Sequence, residues 1–185
     1  MTLTRRSVAV GAAALTSLAV PLTASPAWAL NRDKLVARAQ EALSELEGSE
    51  RRSRRFARSA VGTLVFPSIL KAGFVFGGET GDGVLFEHGQ PVGFYNLSGG
   101  SWGLQIGAQD FSYALFFMTR GSLHYLHESK GFQVGTGPSI VVVNQGAGAE
   151  ADSTTLTHDV YAFPFNQKGL MANLTLEGSK ISRID

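Results

Sequence analysis

Between Asn31 and Leu46 the apolar residues Leu35, Val36, Ala39, Ala42, Leu43 and Leu46 recur at helical spacing, with Lys, Arg and Glu between them. That pattern predicts an amphipathic helix. Gly48 interrupts it, and Ser49 as N-cap with Glu50 in the first turn predicts a second helix running to about Val61. On this second helix Ser53, Phe56, Ala57 and Ala60 share one face, and Arg51, Arg54, Arg55 and Arg58 fall within an arc of about 100° beside it. Beyond residue 61 the texture changes, because 20 of the 22 glycines lie there among short runs of Val, Ile, Phe and Leu. That composition is β-rich. Strands are expected at about 63–66, 72–78, 83–87, 91–97, 101–109, 112–117, 139–144, 158–164 and 169–177. Gly81-Asp82-Gly83, Gly99-Gly100 and Gly146-Ala147-Gly148 are read as the turns between them. Arg120 to Lys130, with Leu123 and Leu126 on one face and Gly131 as a stop, predicts a short helix inserted among the strands.

Runs such as YALFFM and SIVVVN are apolar at nearly every position, so the sheet is expected to be covered on both faces or to close on itself. The expected class is α+β: N-terminal amphipathic helices packed on a strongly bent, mainly antiparallel β-sheet closing into a barrel or sandwich-like body. With 185 residues, one domain is expected.

The first 29 residues read differently from the rest. Arg5 and Arg6 precede a modestly apolar stretch from Val8 to Leu22, and Ala27-Trp28-Ala29 forms a cleavage pattern. This is the pattern of a signal peptide over 1–29, with the twin-arginine route favoured and the general secretion route left open. A single domain over 30–185 would follow, with helices in 30–61 and a β-rich body in 62–185. The apolar stretch is shorter than the ~20 residues a membrane-spanning helix needs. The expected location is outside the cytoplasm, periplasmic or associated with the cell envelope. There is no cysteine, so no disulfide framework is available.

Charge is nearly balanced overall but unevenly placed. Residues 30–60 hold eight basic and five acidic residues, whereas 61–185 hold six and ten. Five arginines, Arg51, Arg52, Arg54, Arg55 and Arg58, fall within eight positions. Like charges on one helix face repel, so an anionic counterpart is expected. The alternative is a solvated surface, or pairing with the acidic excess of the β body.

The segments LVFPSILKAGFVFGGETGDG, GSWGLQIGAQDFSYALFFM, VGTGPSIVVV and DVYAFPFNQKGLMANLTLEGSKISRI resemble successive blocks of the SYLF domain family, from about Phe56 to Ile184. The resemblance implies a non-enzymatic lipid- and membrane-binding module without a cofactor. Eukaryotic members are described as phosphoinositide binders, some also as actin binders, and bacterial members are mostly exported. It further implies that the basic helix is the headgroup-binding element, carried here by Arg51, Arg52, Arg54, Arg55 and Arg58. Phe56, on the neighbouring face of that helix, is expected to pack toward the body or toward the acyl boundary as a membrane contact. For an exported bacterial protein the available anionic lipids are phosphatidylglycerol and cardiolipin. The competing reading is an envelope protein-interaction or structural module that binds no specific lipid.

Other chemistry is poorly served by the residues. His124 and His127 stand three apart on the expected short helix and could share a zinc ion, but the only nearby third ligand, Glu128, is assigned to another face, so no metal site is assigned. A hydrolase would need Ser, Thr or Asp as nucleophile, there is no G-x-S-x-G elbow, and the polar groups Asp110-Phe111-Ser112 and Ser98-Gly99-Gly100-Ser101 suit turns. No catalytic residue is assigned. GGETGDG lacks the Gly-Lys-Ser/Thr ending of a phosphate loop. Nucleic acid is not an expected partner, since the aromatic residues lie in core-like runs. Trp102 and Tyr95, which would flank a Gly99-Gly100 turn, are read as interfacial anchors or as buried aromatics.

Overall fold

The computed structural model describes residues 27–73, 76–102, 107–128, 132–133, 137–143, 158–168 and 178–184. Its helices are α1 (Ala27–Ser49), α2 (Arg51–Ser59) and α3 (Arg120–Glu128). The strands are β1 (Gly62–Gly73), β2 (Phe76–Glu87), β3 (Gln90–Trp102), β4 (Gly107–Phe117), β5 (Phe132–Gln133), β6 (Ile140–Val142), β7 (Val160–Lys168) and β8 (Ser179–Ile184). They form one sheet in the order β5-β8-β3-β2-β1-β4-β7-β6. Every pairing is antiparallel except β6 with β7. The sheet curls into a half-barrel behind the N-terminal helices, which is the expected α+β arrangement.

The three helices appear where helical periodicity places them. α1 begins at Ala27, so the expected cleavage after Ala29 would take only its first residues. The cap of α2 is Glu50 rather than Ser49: Glu50 is extended (φ −119°, ψ 106°), and its carboxylate accepts the Arg52 backbone N–H at 3.1 Å.

One face of the sheet packs on α1 and α2 through Ala39, Leu46, Phe56, Val65, Phe116 and Phe163. The other face packs on α3 through Leu64, Phe66, Tyr95, Leu115, Leu123 and Leu126. Continuous apolar strands such as Phe111–Phe117 follow from this, since each side chain meets a core whichever way it points.

The glycine-rich stretches are strand interior, against expectation. Gly81-Asp82-Gly83 lies inside β2 and Gly99-Gly100 inside β3, paired throughout with neighbouring strands. At Gly83 an added Cβ would come within 2.5 Å of the Phe66 ring, and at Gly81 within 2.5 Å of the Ser68 carbonyl oxygen. These glycines therefore serve close approach of β1, not reversal. The reversal between β2 and β3 is His88-Gly89, where φ is 51° and 76°. A two-residue turn with both φ values positive suits the twist of a hairpin.

The single strands expected at 72–78 and 101–109 each divide between the end of one strand and the start of the next. β8 at Ser179–Ile184 was not anticipated, and the strand expected at 169–177 and the turn at 146–148 lie outside the described residues.

β1 is central yet contains Pro67. Its register slips by one residue against both β2 and β4 around Pro67-Ser68. A bulge is where a central strand tolerates proline. Ser112 donates to the Pro67 carbonyl at 2.8 Å, which satisfies a backbone acceptor at the bulge, and the Ser68 hydroxyl donates to the Asp110 carboxylate at 3.0 Å.

Candidate functional site

α2 is seated by two buried side chains one turn apart. Ser53 is fully buried, and its hydroxyl donates to the Glu50 carbonyl at 2.7 Å. Phe56 is 3% exposed, with its ring centroid 4.4 Å from that of Tyr161 and 5.3 Å from that of Phe163. Phe56 is thus a core residue and not a membrane contact, because the aromatic cluster on β4 and β7 occupies it from the protein side.

With that face inward, Arg51, Arg54, Arg55 and Arg58 are all exposed, as the 100° spacing requires. Among the described residues Arg51, Arg54 and Arg58 make no ion pair within 4.0 Å. Arg52 departs from the expected set. Its Nε and Nη2 each donate to the Glu50 carboxylate at 3.1 Å. That hydrogen-bonded guanidinium holds the Glu50 carboxyl below its ordinary value, with partial burial opposing. Arg52 belongs to the helix cap.

Below α2 the surface is hollowed. One hollow of about 540 Å³ runs between α1, the C-terminal end of α2 and the β2–β3 turn, with Glu47, Arg58 and His88 on its rim. A second, of about 730 Å³, adjoins it through Ala60, Val61 and His88 and is bounded by α3. His127 of α3 is fixed there from two sides: Nε2 lies 3.0 Å from Glu87 Oε1, and Nδ1 lies 3.2 Å from the Tyr95 hydroxyl. Burial raises the Tyr95 hydroxyl pKa, with Arg183 opposing and Glu87 adding. Tyr95 is therefore a buried aromatic bonded to α3 and not an anchor beside a turn.

Glu128, placed elsewhere on the helix by the sequence reading, instead meets His124 at 3.0 Å. Among the described residues no three His, Asp or Glu side chains are grouped to hold a metal ion. None of the helices among them is long and apolar enough to cross a membrane.

The far end of the half-barrel holds a polar group that sequence reading missed. Register aligns Gln109, Lys71, Glu79, Gly99 and Ser179 in one row across β4, β1, β2, β3 and β8. All four side chains are buried. Lys71 Nζ lies 3.7 Å from Glu79 Oε2, and the Ser179 hydroxyl donates to Glu79 Oε1. The Gln109 amide and the Tyr113 hydroxyl have no hydrogen-bond partner among the described residues. Burial pushes the Tyr113 hydroxyl pKa strongly upward, and the Glu79 charge adds to it. No local signal marks these residues, since sheet register alone unites them.

No curated protein matches the chain. Residues 98–185, which run from β3 to the end of the chain, match the family model described as Ysc84, Las17-binding protein actin regulator. The resemblance seen in the sequence blocks is therefore matched over residues 98–185, a little under half of the molecule, where the chain is similar to the SYLF (Ysc84) domain family.

Proposed function

We propose that the protein is a non-enzymatic membrane-surface module of the bacterial cell envelope, exported and docked on anionic phospholipid through the arginine face of α2. The observation that carries this reading is geometric: Ser53 and Phe56 fasten α2 to the body, while Arg51, Arg54, Arg55 and Arg58 point outward as one patch. A cationic face on a fastened helix meets a planar anionic surface without ordering new chain. Each arginine contributes about 1 kcal/mol at such a surface, so four supply only millimolar-grade affinity. Because Phe56 is withdrawn into the core, apolar insertion by that residue adds nothing.

The test is co-sedimentation with phosphatidylglycerol, cardiolipin and phosphatidylcholine vesicles at low and high salt. The expected result is pelleting on the two anionic lipids, lost at high salt and in an R51Q/R54Q/R55Q/R58Q variant. Equal pelleting of variant and wild type at low salt would retire the arginine face. The family description names a protein partner for its namesake, which favours as second reading an envelope protein-interaction module. Indifference to all three vesicle types, together with recovery of one stoichiometric partner, would select it.

A further inference from the structure

We propose that Lys71 of β1 and Gln109 of β4 are the two halves of an isopeptide cross-link, which the protein forms on itself inside the half-barrel with loss of ammonia. The two residues stand directly opposite each other in the β1–β4 register, on the face that also carries Ile69, Phe111 and Tyr113. Side chains placed in this way start about 5 Å apart, so two flexible stems can bring an amine against a carboxamide. Both are shut away from water, Lys71 at 4% exposure and Gln109 at 1%.

Three features of this interior point to chemistry between them. Lys71 is buried with Glu79 beside it, Nζ to Oε2 at 3.7 Å. The Gln109 amide uses neither its nitrogen nor its oxygen in a hydrogen bond among the described residues. The Tyr113 hydroxyl, two residues beyond Phe111 on the same strand face, is likewise without a partner among them. Each such group is costly when buried. A cross-link gives all three a use: an amine with a proton carrier, an acyl group, and a donor for the oxygen on which charge develops.

The step balances without a co-reactant. Lys71 Nζ passes one proton to Glu79 Oε2, and the neutral amine attacks Gln109 Cδ, sending the carbonyl electron pair to Oε1. Glu79 then gives that proton to Nε2 and takes a second one from Nζ. The Cδ–Nε2 bond breaks and ammonia leaves. An Nζ–Cδ amide remains beside a protonated Glu79, so a buried ion pair has become two uncharged groups. The Ser179 hydroxyl donates to Glu79 Oε1, which leaves Oε2 for the lysine. Burial, with the Glu79 charge adding to it, pushes the Tyr113 hydroxyl pKa strongly upward, so this side chain keeps its proton for the oxyanion. The finished bond staples β1 to β4 and closes a loop around the β2–β3 hairpin, which restricts the unfolded chain.

The test is mass spectrometry of the purified, denatured protein and of its peptides. The expected result is a mass about 17 Da below that of the amino-acid sequence, with trypsin no longer cutting after Lys71. Trypsin combined with a glutamyl endopeptidase should leave Ser59–Glu79 joined to His88–Arg120. K71R, which keeps a cation beside Glu79, and E79Q should both show full-mass peptides. Q109E should lose water in place of ammonia, about 18 Da. In a time course after cell-free synthesis, Y113F should cross-link about a hundredfold more slowly than wild type. Full mass in the wild type after prolonged incubation, or the same loss with Lys71 still cut, overturns the cross-link. An ammonia loss that persists in Q109E overturns Gln109 as the acyl half, and one that persists in E79Q overturns Glu79 as the proton carrier.

Discussion

At the end of the half-barrel where β1 begins, both faces of the sheet are covered: α1 and α2 pack on one side and α3 on the other, all through apolar side chains. At the opposite end Leu70 on the outer face is 52% exposed among the described residues, and the inner face buries Lys71, Glu79, Gln109 and Ser179. The first end draws its stability from burial, which is proportional to area and indifferent to partner identity. The second depends on pairing, where each member is costly without the others. Substitutions should therefore be less strongly coupled at the first end than at the second.

The largest expected effect is Phe56→Ala at the helical end, a loss of about 4 kcal/mol from cavity formation in the aromatic cluster, read by urea denaturation. A loss under about 1 kcal/mol would mean that α2 is not fastened by its aromatic side chain. Next comes the polar end: Lys71→Met should cost about 3 kcal/mol by leaving Glu79 buried beside Ser179 alone. The double variant K71M/E79M should recover most of that loss, whereas additive losses would dismiss the pairing as the organising feature.

The smallest effect belongs to the α2 cap. Glu50→Gln should cost about 1 kcal/mol at neutral pH. Because the folded-state carboxyl sits below its ordinary value of 4.5, its contribution is full above that pH and disappears as pH falls through the folded value. The gap between wild type and variant should therefore close as the pH falls from about 4.5 through the lowered folded-state value, and a constant gap would show that the charge is immaterial.

The helical end was legible in the sequence because a period of 3.6 residues is local. Leu35 through Leu46, the inward pair Ser53 and Phe56, and the outward arginines all follow from spacing alone. Arg52 was misassigned because its side chain answers to a cap acid two residues away, a contest that periodicity does not register. The polar end was illegible for the opposite reason. Glycine carries one symbol for two uses, reversal and close approach, and in GGETGDG only the neighbouring Ser68 carbonyl at Gly81 and Phe66 ring at Gly83 decide between them. Lys71 and Glu79 look like unrelated solvent residues until a hairpin sets them opposite each other, and Gln109 and Ser179 join only through β4 and β8.

The surplus residue at Pro67-Ser68 acts as a parity switch for β1. Before it the even positions, Leu64 and Phe66, face α3; after it the odd positions, Ile69 and Lys71, do so. Pairing the same residues without the bulge would carry Ile69 and Lys71 to the outer face and bring Leu70 and Ala72 inward. Lys71 would then reach water while Glu79 stayed inside, so the ion pair of the interior exists only because the strand miscounts by one.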